Sequence, residues 1–586
     1  MPDKPLLIFD GHCGFCKVWV EYWKQLTGPS IGYAPFQEVG ADFPDVPPER
    51  FGEAVQLVMP DGEVRGGAWA VFTSLTHAPG LAWLLWLYDH LPGFAPFSEV
   101  CYRVIASHRN LFYHLTRLTF GRVVAPLNYA RVEWLFLRAL SLIYFIAFAS
   151  LIPQITGLIG SHGILPLGRF LAAAREGLGV GGYWAMPTVF WFAQGDAAVK
   201  LVCWIGVALS VVLFLGAWER ASLLSLYVLY LSLSVAGQDF LSFQWDSLLL
   251  ETGFLAIFLG SSKLTVLLFR WLLFRLMFLS GAVKLLSHDE SWRNLTAMSF
   301  HYMTQPLPNP ISWFAYQLPI AFQRASTGAV LGIELAIPFL VFGPRLWRFF
   351  AAACFTFLQT LIFLTGNYTF FNLLAVALCL FLLDDAWIPR LPSRKSMISK
   401  KAVRVAAILI LTVSGSQLAE IFLDWVPPVA SLVARFVSPY SVVNTYGLFA
   451  VMTTRRPEIV VQGSADGVIW RDYQFPYKPG DLTAAPRFVA PYQPRLDWQM
   501  WFAALSDPQQ TAWFRDFLLR VLEGSRDVTS LLAVNPFPGA PPKYVRALRF
   551  NYSFTDFAER RATGNWWTRE PRGLYFPAVS LEDLGR

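Results

Sequence analysis

Between Trp134 and Leu423 the chain repeats apolar runs, each about as long as a bilayer core is thick. We place them near 134–152, 199–217, 221–236, 244–260, 264–286, 327–343, 346–364, 369–385 and 402–423. That makes about nine transmembrane helices. The composition agrees. Charged residues are only 15% of the 586 and hydrophobic ones 55%, where soluble domains carry about 25% charged. Six Cys in a chain this long exclude a disulfide scaffold, and the apolar content excludes disorder, collagen and coiled coil. The expected class is an α-helical polytopic membrane protein with soluble attachments, its first partner the lipid bilayer.

Basic residues set the expected orientation, because cytoplasmic connections are enriched in Lys and Arg. Arg109, Arg117, Arg122 and Arg131 precede the first run. Alternate connections then carry Arg220, Lys263, Arg345 with Arg348, and a cluster of Arg390, Arg394, Lys395, Lys400, Lys401 and Arg404. The connections between them, Gly237-Gln238-Asp239 and Gly366-Asn367-Tyr368, have no basic residue. An odd number of spans then places the N-terminus in the cytoplasm and the C-terminus outside. The net charge of +7 follows membrane orientation, and we expect no nucleic-acid partner.

Both ends read as soluble. Residues 1–125 have mixed polarity and no signal peptide, since Leu6-Leu7-Ile8-Phe9 is too short for an h-region. Residues 130–425 form the membrane region, and residues 440–586 read as a β-rich domain. There Glu458 to Gln462 and Val468 to Tyr473 flank Asp466-Gly467, a hairpin signal. Tyr544 to Phe550 alternates likewise, while Gln510 to Glu523 has helical spacing.

Cys13-Gly14-Phe15-Cys16 lies where a strand-like run meets a helical one. That junction puts the first sulfur at a helix N-terminus, where backbone amides favour a thiolate. Cys13 would attack and Cys16, one turn on, would resolve the mixed disulfide. An idle pair of thiols and a metal knuckle are the other readings. Zinc usually takes four ligands, and only His12 is near, so no metal or cofactor is expected.

The stretch Asp10-Gly11-His12-Cys13-Gly14-Phe15-Cys16 resembles the signature of the DCC thiol-disulfide oxidoreductase-like family. The likeness continues through Val58 to Gly62, Gly66 to Ala70 and Tyr102 to Ala106. It implies an α/β thioredoxin-like fold, catalytic roles for Asp10, Cys13 and Cys16, and a cytoplasmic thiol reductant or thiol partner.

Ionisable residues inside a bilayer are costly and therefore informative. Asp246 and Glu251 precede Arg270, Arg275 and Lys284 in the next span, and these five could pair inside the bundle, as a structural lock or as a catalytic or transport site. Arg138, Glu334 and Glu420 are isolated, the two acids candidates to meet across the bundle. The connection after Lys284 is rich in aromatics and Pro and contains Trp292 and His301, the histidine reading first as structural.

Several of these segments, in order, resemble the lipase maturation factor family. They are Gln244 to Phe258, Arg270 through Pro319 (with Gly281, Trp292 and His301), and Thr365 to Leu374. The last contains Gly366, Asn367, Tyr368, Phe371 and Asn372. The resemblance spans about residues 130–575. It implies a membrane-embedded maturation factor or chaperone for exported clients such as lipases, held on the outer face. A fused DCC domain without a signal peptide leads us to expect a bacterial inner-membrane protein. Gly281-Ala282-Val283-Lys284-Leu285 with Trp292 is also similar to the lysine-bearing helix of vitamin K-dependent carboxylases. That implies an alternative: a membrane enzyme with Lys284 as base, unless Lys284 snorkels or pairs with Asp289 or Glu290. A transporter is a third reading, without the inverted repeat such folds use.

Overall fold

The computed structural model describes residues 2–584 except Arg122, Val123, 125–127, Ser261, Pro389, Arg390 and 393–397. The orientation argument from Arg122, Arg390, Arg394 and Lys395 lies outside the described residues. Two compact units result: Met1–Asn128 with Phe342–Phe350, and Tyr129–Val341 with Ala351–Arg586.

In the first unit, strand β1 (Leu6–Phe9) is central because its residues are apolar on both faces. Leu7 and Phe9 join one core with Val20, Leu57 and Ala70. Ile8, pointing the other way, joins Val46, Phe51 and Val58. Helix α1 (Gly14–Thr27) connects β1 to β2 (Gly32–Pro35), which pairs parallel with it. Strands β3 (Gln56–Val58) and β4 (Val64–Gly66) add antiparallel, giving the order β2-β1-β3-β4. Helices α2 (Gly67–Thr76), α3 (Trp83–His90), α4 (Phe94–Ser107) and α5 (Arg109–Phe120) complete the unit.

The second unit is a helical bundle carrying a small sheet. Its helices are α6 (Ala130–Leu151), α7 (Asp196–Leu215), α8 (Glu219–Ala236), α9 (Gln244–Ile257), α10 (Lys263–Leu286) and α11 (Ile320–Leu335). The chain then enters α12 (Arg345–Thr365), α13 (Phe371–Cys379) and α14 (Lys400–Leu423). Among the described residues, six helices are long and apolar enough to cross a membrane: α6, α7, α10, α11 with its extension to Phe342, α12 and α14. The expected spans at 221–236, 244–260 and 369–385 become α8, α9 and α13, of 18, 14 and 9 residues. At 1.5 Å per residue α9 is about 21 Å long, short of a bilayer core of about 30 Å. Gly237 and the turn that follows it separate α8 from α9, and residues 380–382 continue α13 only as one tight turn.

After α14 the sheet runs β6-β5-β7-β8, all antiparallel. The hairpin forms between β5 (Arg456–Ser464) and β6 (Arg471–Asp472), although β6 keeps only two residues. Strands β7 (Tyr544–Phe554) and β8 (Trp567–Val579) are longer. The region is less β-rich than its alternation suggests. Helices α15 (Arg495–Leu505) and α16 (Ala512–Leu522) hold many of its buried aromatics, including Trp498, Trp513 and Phe517.

Candidate functional site

The polar residues of the bundle converge on a seam with the C-terminal sheet and its helices. Asp246 opens α9, and its carboxylate receives both Nη atoms of Arg495, at 2.9 and 2.8 Å. Tyr230 of α8 donates to the same carboxylate at 2.5 Å. Arg495 is 0% exposed and Asp246 1%. In so dry a place an ion needs a partner, and the paired guanidinium fork supplies the best geometry. Around this pair, Gln154 accepts from the Arg495 amide at 3.0 Å and donates to the Gln493 carbonyl at 2.7 Å. Trp245 donates to Gln493 Oε1 at 2.8 Å.

One turn along α9, Glu251 pairs with Arg275 of α10. Its second oxygen accepts from the Asn444 amide at 2.8 Å and the Tyr446 hydroxyl at 2.7 Å, both from the chain after α14. Of the expected cluster, then, Glu251 and Arg275 meet inside the bundle. Asp246 instead finds its cation in α15. Arg270 does not join this group: it donates to the Phe381 carbonyl at 2.9 Å and the Tyr129 hydroxyl at 2.8 Å.

Lys284 ends α10. It pairs with Glu334 of α11 at 2.7 Å, donates to the Ser280 carbonyl and lies over the Trp292 ring. This corrects two expectations, for Glu334 does not meet Glu420, which is exposed, and Lys284 meets neither Asp289 nor Glu290. Gly281 permits the pairing. A Cβ there would sit 2.9 Å from Glu334 Cβ, so the two helices touch because glycine has none. Trp292 is fixed by donation to the Phe449 carbonyl at 3.0 Å.

These groups, with His301, Tyr368 and Phe371, line a cavity of about 80 Å³. His301 Nε2 is 3.3 Å from the Tyr368 hydroxyl, which donates to Gln305 at 3.0 Å. Burial, reinforced by the Lys284 ammonium, pushes the His301 imidazole down to about 4, so it is neutral near pH 7. The space is no larger than a few water molecules need. It is well below the roughly 300–1,000 Å³ of small-molecule pockets.

The Gly366–Asn372 turn closes the seam. Asn367 donates to the Leu307 and Arg487 carbonyls at 3.0 and 2.8 Å, and accepts from the Val489 and Ala490 amides at 2.8 and 3.1 Å. Gly366 lies so close to Gln305 that a Cβ would fall 2.3 Å from its Oε1. Asn372 donates to Gln359 at 2.7 Å, behind the turn. From the sheet, Arg456 reaches back to the carbonyls of Met303, Gln305 and Pro306 while paired with Glu458.

In the first unit, Cys13 caps α1, its Sγ accepting from the Cys16 amide at 3.3 Å. Burial, followed by its hydrogen bond to Cys13 and that neighbour's charge, pushes the Cys16 thiol up to about 12. Burial would raise the Asp10 carboxyl, but the His12 amide, Gln37 and the Arg109 charge outweigh it and hold it below its usual value. Val55, just before β3, donates its amide to the Tyr102 hydroxyl at 2.9 Å.

Comparison with known proteins assigns these segments. The family description "Lipase maturation factor transmembrane domain" matches residues 131–390, and "Lipase maturation factor C-terminal domain" matches 442–577. "DCC1-like thiol-disulfide oxidoreductase" matches 7–115. Lipase maturation factor 2 of Gallus gallus is 36% identical, over 77% of this chain and 82% of its own length. The belonging is clear.

The chain is a member of the lipase maturation factor family. Lipase maturation factor 2 of Mus musculus is 37% identical over 77% of this chain and 83% of its own. Lipase maturation factor 1 of Mus musculus is 35% identical, over 76% and 87% respectively. No solved structure matches. These animal relatives overturn the expectation of a bacterial inner-membrane protein; an integral membrane protein of the lipase maturation factor family stands. The seam joins the family's two matched segments, with Asp246, Glu251, Lys284 and Asn367 in the first and Arg495, Asn444, Tyr446 and Arg456 in the second. Sequence reasoning missed the second set. Arg495 and Arg456 lie in runs that read as soluble, and nothing in their spacing marks Arg495 as the counter-ion of Asp246, 249 positions away, or Arg456 as a donor to carbonyls about 150 positions away.

Proposed function

We propose that this chain is a membrane maturation factor for lipases, in which the bundle holds the C-terminal region as a rigid platform for an exported client. The seam carries this reading. The buried Asp246–Arg495 pair, the bonds from Arg456 to the carbonyls of Met303, Gln305 and Pro306, and the bidentate Asn367 fix that region to the bundle. The relatives' names supply the client class. The test is to express the chain in cells lacking their own maturation factor and measure secreted lipase activity per unit of lipase. Recovery of specific activity supports the proposal; unchanged specific activity at equal lipase mass sinks it.

The platform sits on the outer side of about nine crossings. Support comes from four connections that meet the C-terminal region, two of which, those after α8 and α12, have no basic residue. The one after α6 meets Arg520 through the Gly163 carbonyl at 2.8 Å. The one after α8 meets Arg495 through the Phe240 carbonyl at 2.7 Å. Those after α10 and α12 meet Trp501 through the Thr304 carbonyl at 2.9 Å and Arg487 through Asn367. If all four connections share the C-terminal side, α8, α9 and α13 must each pass between sides. The dithiol unit, ahead of α6, is then cytoplasmic, with a thioredoxin-like strand order and a thiol partner there. Cys13 and Cys16 do not reach an external client, so maturation works by contact.

A further inference from the structure

The first unit carries an apolar surface that its own packing leaves open. Along α4, Phe97, Val100 and Val104 are exposed, and along α5, Leu111, Leu115 and Leu118 are, with Phe97 66% and Leu118 67% accessible. Each trio follows helical spacing on one face, i, i+3, i+7 and i, i+4, i+7, so these are stripes and not scattered residues. On α3, Trp83 and Trp86 are exposed as well. The two striped helices also carry Arg103, Arg109 and Arg117 against a single acid, Glu99. That acid is engaged, accepting from the Ala68 and Trp69 amides and the Tyr88 hydroxyl at 3.2, 3.1 and 3.0 Å.

We propose that this face of the first unit lies in the surface of the bilayer the chain spans, with α4 and α5 as interfacial helices in its headgroup layer. Four observations select lipid as the occupant. The unit itself includes Phe342–Phe350, the residues that begin membrane helix α12. Gly121, just after α5, faces Leu346 of that segment, where a Cβ would come within 3.7 Å, so the end of α5 stands at the level where a span enters. In sequence, α5 ends ten residues before α6 begins, a tether of at most about 35 Å. Apolar stripes with Arg103 at the edge of the one on α4, and with tryptophan beside them, are also the composition that headgroup layers select.

The orientation follows. Tyr113, which touches Gly14 of the Cys13–Cys16 turn (3.5 Å to a Cβ built there), lies on the opposite side of α5 from Leu111, Leu115 and Leu118. The dithiol therefore stands about one helix diameter, roughly 10 Å, clear of the apolar stripe, toward the aqueous side.

The test places a benzophenone amino acid at Phe97, and separately at Leu118, in the full chain reconstituted in phosphatidylcholine–phosphatidylserine nanodiscs. Control positions are Glu38 and Asp61, exposed polar residues of the same unit. Irradiation and mass analysis should show lipid adducts at Phe97 and Leu118 at least about tenfold above the controls. Equal yields at all four positions would overturn the proposal. So would crosslinks from Phe97 and Leu118 mainly to protein, whether this chain or a second copy. All four substitutions are at exposed positions, so loss of folding does not confuse the outcomes.

Discussion

At the scale of single residues, burial shifts two titrating groups in opposite directions, because it favours the neutral form of each. Cys16 is pushed up to about 12, so at pH 8 only about one thiol in ten thousand is ionised. Reduced protein treated with iodoacetamide at pH 8 should be alkylated at Cys13 and remain unmodified at Cys16, read by peptide mass; equal labelling contradicts this. His301 is pushed down to about 4 from an ordinary 6.5. The unfolded chain therefore takes up this proton first as pH falls. Stability is full above about pH 6.5 and is lost progressively toward pH 4, by about 3 kcal/mol in all. Thermal unfolding in detergent should show this acid-side loss, reduced in His301→Gln; an identical pH profile for that variant assigns the loss elsewhere.

At the scale of elements, helix contacts and the seam make separate predictions. Gly281→Ala puts a methyl against Glu334 and should cost about 1–3 kcal/mol by overpacking, with Gly281→Leu worse. Arg495→Met alone leaves Asp246 buried and unpaired, and should cost about 3–5 kcal/mol. The double variant Asp246→Leu/Arg495→Met should recover most of that, and a double as unstable as the sum of the singles would refute the pairing. The same elements show what could be read beforehand. Glu251 and Arg275 lie on neighbouring apolar runs, so their pairing followed from charge in a bilayer. Asn367 stood inside a recognisable motif, although its partners near Val489 did not. Asp246 and Arg495 could not be matched, because nothing local specifies a contact across 249 positions. Apolar length placed six helices well. It overestimated α9 and α13, whose runs extend past the residues that end each helix.

At the scale of the whole molecule, the proposed topology divides the chemistry between compartments. A membrane-impermeant maleimide applied to intact cells should leave Cys13 unlabelled, while a cysteine introduced at the exposed Val468 should be labelled; the reverse pattern inverts the orientation. Neither result depends on the client.

The Asp246–Arg495 bond also sets an order of events during synthesis. Asp246 emerges from the ribosome 249 residues ahead of its cation, an interval of about 12 to 50 seconds at ordinary elongation rates. For that time a carboxylate stands at the end of α9 with Tyr230 as its available donor. The bundle cannot reach its final form until the chain through α15 has been made and meets it. A nascent chain cut short before α15 would therefore retain its apolar helices but lack the counter-charge that pairs with Asp246.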